Sequence, residues 1–200
     1  FFMMGNILVK NIGMLATPQG KTAKKGAEQG QIQILKDAWI LVKDGVIDSV
    51  GTGAAPAAPG AEVIDAHGNL VTPGLVDAHT HLIFGGWRQN ELGMRLHGKT
   101  YLEIQNAGGG IQSTTNATRK ATEQELAEKA TKALNEMMGF GVTTVEAKSG
   151  YGLATDHELK ELRVIKYLND HHPMDVVATF MGANLVPAEY KNNRAEYIRL

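Results

Sequence analysis

Hydrophobic positions follow two patterns along the chain, and the change falls near residue 70. Before it, short apolar runs rich in β-branched residues alternate with polar turns, which is typical of strands. Trp39–Val42 and Val46–Val50 flank Lys43-Asp44-Gly45, and an Asp-Gly pair favours a tight hairpin turn. We therefore predict a β domain over residues 1–70. Its further short strands are expected at Asn6–Val9 and Ala61–Asp65.

The polar segment between these strands, Thr17 to Gly30, carries three lysines, namely Lys21, Lys24 and Lys25. A basic cluster is one sign of a phosphate or nucleic-acid surface. Interleaved aromatic residues, which such surfaces use for stacking, are missing here. The segment is predicted to be a solvated surface loop.

From residue 71 onward, apolar strand patterns alternate with helical ones, which indicates βα units and a parallel sheet. Strands are predicted at 74–82, 142–147 and 175–181. Capping-box sequences at Thr122–Glu125 and Thr155–Glu158 mark the starts of two helices. A last helix is expected over 194–200. The glycine-rich residues 83–121 are predicted to be a functional loop, with Gly108–Gly110 as its hinge.

Composition removes several classes of function. The 200 residues carry a net charge of −1 and no cysteine, so no strong field favours nucleic acid or an anionic membrane. Disulfides and thiolate metal ligands are excluded, and a reducing, cytoplasmic location is predicted. No apolar run reaches membrane-spanning length. Phe1–Met4 lacks a charged flank and a cleavage site, so no signal peptide is predicted.

Two histidines, His79 and His81, stand two residues apart at the end of the first predicted strand of the second region. Side chains two apart on a strand share one face. Both imidazoles are therefore predicted to point towards one divalent metal. A pair of ordinary surface or core histidines is the alternative when such a pair has no supporting context.

The context supports the metal. The run Leu70–Phe84, with its Pro-Gly turn before the histidines, resembles the first barrel strand of the amidohydrolase superfamily. Three further blocks resemble the imidazolonepropionase family within it: residues 84–92 with 101–111, residues 141–153 with Ser149-Gly150-Tyr151-Gly152, and residues 179–187 with Gly182-Ala183 and Val186-Pro187.

The resemblance implies an α/β fold, in which residues 71–200 are the first part of a TIM-type (β/α)₈ barrel and residues 1–70 belong to a small β-sandwich domain. It implies His79 and His81 as ligands of one zinc or iron ion, divalent or trivalent. It implies that Arg88 and Tyr151 contact the substrate. Asn184 stands where the family has a substrate-binding histidine, and an amide cannot carry a proton near neutral pH.

The implied reaction is metal-dependent hydrolysis of the imidazolone ring of 4-imidazolone-5-propanoate to N-formimidoyl-L-glutamate in histidine degradation. The implied partner is this small molecule, and a homodimer is the assembly considered for the intact protein. Lys148 is expected to be structural, because the carboxylated lysine of two-metal relatives lies on a later strand.

Length bears on this interpretation. A complete barrel needs roughly 250 residues, and the family's third histidine ligand, aspartate ligand and catalytic glutamate would lie beyond Leu200. The chain is therefore expected to be a piece that is inactive alone. Two alternatives stay open: another amidohydrolase, such as an aminohydrolase acting on a ring amine, and a non-catalytic remnant.

Overall fold

The computed structural model describes residues 5–20 and 22–200. The signal-peptide prediction for Phe1–Met4 and the place of Lys21 in the basic segment lie outside the described residues. The chain divides into two compact units, one up to Pro73 and one from Gly74.

The first unit is a five-stranded sheet. Its central strand pairs antiparallel with the second strand, which pairs antiparallel with the third, and the fourth and fifth strands run parallel to the central one. The strands are β1 (Ile7–Pro18), β2 (Ile32–Lys43), β3 (Val46–Thr52), β4 (Glu62–Asp65) and β5 (Leu70–Val71).

The predicted hairpin is confirmed at β2 and β3, where Asp44 and Gly45 have φ of 50° and 77°. β1 and β2 are much longer than predicted, because polar residues interrupt their apolar pattern. A register shift in β1, with Asn11 at a φ of 54°, absorbs one interruption. The predicted surface loop begins after Pro18 and ends in a short 3₁₀ helix, Gly26–Gly30. A second sheet, as a sandwich requires, stays a prediction.

The second unit alternates strands and helices as predicted, around a three-stranded parallel sheet whose strands lie in chain order. Its elements are β6 (Leu75–Thr80), α1 (Asn90–Leu96), α2 (Tyr101–Asn106), α3 (Gly110–Lys120), α4 (Glu123–Gly139), β7 (Val142–Lys148), α5 (Thr155–His171), β8 (Asp175–Thr179) and α6 (Arg194–Tyr197). β6, β8 and α6 are each shorter than predicted. None of the described helices is long and apolar enough to span a membrane.

The core of this unit lies between the sheet and helices α4 and α5. Leu134 of α4, Val145 of β7 and Ile165 of α5 are fully buried within one apolar cluster. Burying a side chain of this kind contributes about 1.5–3 kcal/mol. This packing fixes the helices against the sheet and so fixes the loops at the strand ends.

The prediction of one long loop over 83–121 was wrong, because α1, α2 and α3 occupy most of it. α1 and α2 have only 7 and 6 residues, too few to show a helical period. α2 nevertheless begins with a capping box at Thr100. The backbone of the expected hinge, Gly108–Gly110, is also held in place, since the Gly110 N–H donates to the buried Glu91 carboxylate at 2.6 Å.

The first predicted capping box is confirmed at Thr122, which begins α4. The second was wrong. Ala154 is the N-cap of α5, without a side-chain cap. Glu158 instead accepts a hydrogen bond from the Leu153 N–H at 2.7 Å. The carboxylate therefore holds the preceding loop rather than its own helix terminus.

Candidate active site

The parallel strands bring the ends of β6, β7 and β8 to one edge of the sheet, which is where α/β enzymes place their working groups. His79 lies in β6, and His81 follows its last residue. The Thr80 hydroxyl donates to the Glu146 carbonyl at 2.7 Å. This bond anchors the segment between the two histidines to the neighbouring strand.

His79 and His81 are neighbours in space, with ring centroids 6.4 Å apart and planes inclined by 66°. Two imidazoles on one tetrahedral ion have centroids roughly 5 Å apart, since each nitrogen lies about 2.0–2.1 Å from the metal. The observed separation of the two rings is therefore somewhat larger than that expected for two imidazoles on one ion. His79 is exposed.

The buried side of His81 fits a ligand role. Its Nδ1 atom is buried and has no hydrogen-bond partner among the described residues. Burial, and then the nearby His79, lowers the pKa of His81 below its ordinary value. A depressed pKa keeps the imidazole neutral at pH 7, and the neutral ring is the form that binds metal.

The described residues do not complete a metal site. Across 5–20 and 22–200, no group of three or more His, Asp or Glu side chains is arranged to hold one ion. Catalytic zinc sites commonly use three protein ligands. The two histidines alone would supply two of these three ligands.

Beside His81 lies a cavity of ≈ 240 Å³, which is lined by His81, Phe84, Trp87, Arg88, Thr114 and Tyr151. The cavity brings together three of the five residues predicted for the site. The Tyr151 ring lies 4.9 Å from the His81 ring, centroid to centroid. A planar ligand here would meet an aromatic face, an imidazole and a guanidinium.

Arg88 reaches the cavity from a segment that we call the arginine loop, Phe84–Arg88. The Lys129 ammonium of α4 donates to the carbonyl oxygens of Phe84 at 3.0 Å and Gly86 at 2.6 Å. It also lies 3.3 Å from the centre of the Phe84 ring and 4.0 Å from that of Trp87. One cation therefore holds both the backbone and the aromatic side chains of this loop.

Tyr151 reaches the cavity from a second segment, the tyrosine loop, Ser149–Leu153, between β7 and α5. Arg119 of α3 donates to the carbonyl oxygens of Gly152 at 2.7 Å and Leu153 at 3.1 Å. Ser149 is fully buried, and its hydroxyl accepts from the Met181 N–H at 2.9 Å. The loop is thus bonded on several sides, and its Tyr151 side chain faces the cavity.

Asn184 does not line this cavity. Its side-chain amide donates to the Gly150 carbonyl at 3.2 Å, so it contacts the backbone of the tyrosine loop and not the cavity. Lys148, expected to be structural, forms an ion pair with Glu146 at 2.6 Å.

Several site residues escaped the sequence analysis. Phe84 and Trp87 lay within a block quoted for its family resemblance, but apolar side chains gave no chemical signal. Thr114 lies on α3, which was taken for loop. Glu146 accepts from Lys148 and from the Thr179 hydroxyl, both at 2.6 Å, and its i, i+2 spacing to Lys148 on a strand was a signal that could have been used.

Comparisons with known proteins agree with the fold. The profile of the amidohydrolase family matches residues 62–109. The described fold is similar to that of E. coli guanine deaminase, with a TM-score of 0.58 and 17% identity over 88% of this chain and 37% of that one. It is also similar to the triazine hydrolase from Arthobacter aurescens, with a TM-score of 0.56 and 20% identity over 88% and 35%. The chain therefore has part of an amidohydrolase-type α/β fold.

Sequence relatives are more specific. The imidazolonepropionase of Alkaliphilus metalliredigens (strain QYMF) is 47% identical over 96% of this chain and 46% of its own length. That of Brevibacillus brevis (strain 47 / JCM 6285 / NBRC 100599) is 49% identical over 96% and 47%. The chain spans about half the length of these curated relatives. The resemblance to imidazolonepropionase is confirmed.

Proposed function

We propose that this chain carries part of the active site for metal-dependent hydrolysis of 4-imidazolone-5-propanoate to N-formimidoyl-L-glutamate, a step of histidine degradation. The observation that carries the proposal is the shared cavity of His81, Arg88 and Tyr151. Imidazolonepropionase relatives at 47–49% identity support the choice of substrate. A cytoplasmic location and a homodimer belong to the same proposal.

Each residue then has one task. Arg88 binds the propionate carboxylate, because a guanidinium offers two parallel N–H donors to it. Tyr151 packs on the planar ring and offers its hydroxyl. Asn184 supports the tyrosine loop in the place of the family's substrate-binding histidine. We propose residues 1–70 as part of a β-sandwich and 71–200 as the first part of a TIM-type barrel.

His79 and His81 would hold a zinc or iron ion through ring nitrogens. Such an ion, when bound, supplies the Lewis-acid chemistry that activates water and polarises the ring carbonyl. The neutral state of His81 keeps a nitrogen lone pair available, and Thr80 fixes the backbone between the ligands.

A second candidate is an aminohydrolase acting on a ring amine. The amidohydrolase-type fold is compatible with it. Arg88 at the cavity favours a substrate that carries a carboxylate, which a simple ring amine does not.

The test is Arg88→Lys in the intact protein. All other variants are likewise made in the intact protein. Loss of the bidentate grip should raise KM about tenfold or more with little change in kcat. Arg95→Lys on α1 is the matched control and should leave both unchanged. Equal kinetics for Arg88→Lys and the parent would remove the carboxylate assignment.

Metal content tests the histidines separately. His79→Asn and His81→Asn should each lower bound zinc or iron at least tenfold, whereas His67→Asn and His97→Asn should retain it. The 200-residue chain alone, with two ligands, is expected to show no hydrolysis after metal loading. Measurable turnover by that chain would contradict this ligand count.

A further inference from the structure

Two buried glutamates of α5, Glu158 and Glu161, lie beneath the tyrosine loop. They are 3% and 0% exposed, and three-residue spacing places them on one helix face. Glu161 accepts a hydrogen bond from the Gly150 N–H at 2.9 Å, and Glu158 accepts one from the Leu153 N–H at 2.7 Å. The pair thus binds the backbone on both sides of Tyr151, at Gly150 and at Leu153.

Each glutamate uses only one carboxyl oxygen in this way. Glu158 Oε2 and Glu161 Oε1 are buried and have no hydrogen-bond partner among the described residues. The neighbouring cations are already engaged elsewhere. Lys160 donates to the carbonyls of Thr118, Arg119 and Ala121, and Arg119 pairs with Glu189 at 2.7 Å.

Two buried carboxylates side by side without a cation are strongly unfavourable, so such pairs retain a proton. Burial, and then the charge of Glu158, raises the pKa of Glu161 to about 8. The other titratable or charged groups around the pair are His157 and Lys160 on the same helix, Arg119 on α3, Tyr197 on α6, Glu189 after β8 and His81 after β6.

We propose that Glu158 and Glu161 are positioning residues for Tyr151, which hold the tyrosine loop in its substrate-binding place, with Glu161 acting as a neutral acid. Neither side chain lines the cavity, so both act through the backbone of Gly150 and Leu153. The inference rests on the proposed function only in naming the ring that Tyr151 contacts.

The loop can be tested without substrate. Glu161→Leu removes the acceptor and leaves the Gly150 N–H buried and unpaired, whereas Glu161→Gln keeps a neutral acceptor of the same shape. Amide hydrogen exchange over residues 149–153 should quicken about tenfold or more in Glu161→Leu and stay near the parent rate in Glu161→Gln. Glu128→Gln, an exposed change on α4, is the control.

Kinetics then test positioning. Glu161→Leu should raise KM about tenfold while Glu161→Gln restores it to within about twofold of the parent. In a Tyr151→Phe background, Glu161→Leu should add far less, because the residue that it positions has already lost its hydroxyl.

Equal losses in Glu161→Gln and Glu161→Leu would overturn the neutral-acid role. Fully additive effects with Tyr151→Phe would overturn the positioning role. If Glu161→Leu fails to fold, Glu161→Gln still decides the first point by keeping or losing the parent exchange rate and KM, and Glu158→Leu, which removes the acceptor of the Leu153 N–H, decides the second in the same cycle. Changed exchange without hydrolysis of 4-imidazolone-5-propanoate would leave the loop inference standing and refute the proposed function.

Discussion

The arginine loop and the tyrosine loop deliver side chains to one cavity, but opposite kinds of group hold them. A lysine ammonium binds the carbonyl oxygens of the arginine loop, and its bond to Gly86 is exposed. Two carboxyl groups bind the N–H groups of the tyrosine loop, and both bonds are buried. The same task of fixing a loop is thus solved once with a half-buried cation and once with fully buried acids.

The two loops differ in the free-energy cost of removing from water the charged groups that hold them. The half-buried ammonium of Lys129 keeps only part of its hydration, and burial lowers its pKa to about 8, so it is largely charged at pH 7 while it binds carbonyls. A buried carboxylate has lost its hydration and must either find a cation or keep its proton. Both loops should therefore respond as pH rises towards 8, the tyrosine loop because Glu161 becomes charged and the arginine loop because Lys129 loses its charge.

The largest effect is expected for Gly152→Ala in the tyrosine loop. An added Cβ would lie 2.5 Å from the Glu158 nitrogen and 2.6 Å from the His157 carbonyl carbon. Because these are backbone atoms of α5, the clash should cost about 3 kcal/mol of unfolding free energy. Denaturant titration measures the loss. Gly139→Ala, which meets nothing within 4 Å, should cost little, and an equal loss there would refute the close-packing argument.

A pH-dependent effect is expected for Glu161→Gln. The pKa of Glu161 rises from 4.5 to about 8 on folding, so the folded state binds the proton more tightly. The stability from this proton is complete below pH 4.5 and is lost as pH rises towards 8. Glutamine keeps the neutral form at every pH.

The variant should therefore gain on its parent by about 2 kcal/mol or more between pH 5 and 8. Thermal unfolding at matched pH values measures the difference. Glu128→Gln serves as the exposed control. Parallel pH profiles for Glu161→Gln and the parent would show that Glu161 is ionised in the folded state.

An intermediate effect is expected for Lys129→Met on α4, which removes the ammonium that holds the arginine loop. Methionine keeps an apolar contact with Phe84 and Trp87 but removes both bonds to carbonyl oxygens, which should cost about 1–2 kcal/mol and raise KM through Arg88. Lys129→Arg retains the charge and the donors, so most binding should survive. Loss of binding in the arginine variant equal to that in the methionine variant would argue against the cation as the relevant group.

The smallest effect, and a favourable one, is expected for Asn184→His. Histidine restores a side chain that can carry a proton near pH 7, and a ring N–H can replace the bond to the Gly150 carbonyl. We expect kcat/KM to rise a fewfold, about 1 kcal/mol or less of transition-state stabilisation. Steady-state kinetics across pH 6–9 test this. Asn193→His, at a residue that does not bond to the tyrosine loop, is the control. No gain would show that Asn184 serves only to support Gly150.

How far the sequence predicted the fold depends on the length of each pattern. α4, β7 and the β2–β3 hairpin were predicted well, because a long helical period, an apolar run and an Asp-Gly turn are local signals. α1 and α2 were missed, since 6 or 7 residues are too few for a period and their stability comes from neighbours. β1 was predicted too short, because the polar residues Lys10 and Asn11 interrupt its apolar pattern. Pairing with neighbouring strands on both sides extends the real strand through these residues.

The site followed a similar rule. His79, His81, Arg88 and Tyr151 carry chemistry that a sequence pattern indicates, and three of them border one cavity. Glu158 was predicted to belong to a capping box and Glu161 was given no role, because nothing in a helical period tells a solvated glutamate from a buried one. Their role depends on the path of the tyrosine loop, which is set by contacts with α3 and with the segment after β8.

Trp87 packs edge to face on Phe84, with Lys129 close by, and its indole is a natural fluorophore at the cavity. The chain has only two tryptophans, and the other, Trp39, lies in β2 of the first unit. Replacing Trp39 with phenylalanine would leave one indole, at the cavity wall, whose emission depends on the nearby ammonium. Ligand titrations could then be followed by intrinsic fluorescence, without a chromogenic substrate and before any turnover is detectable.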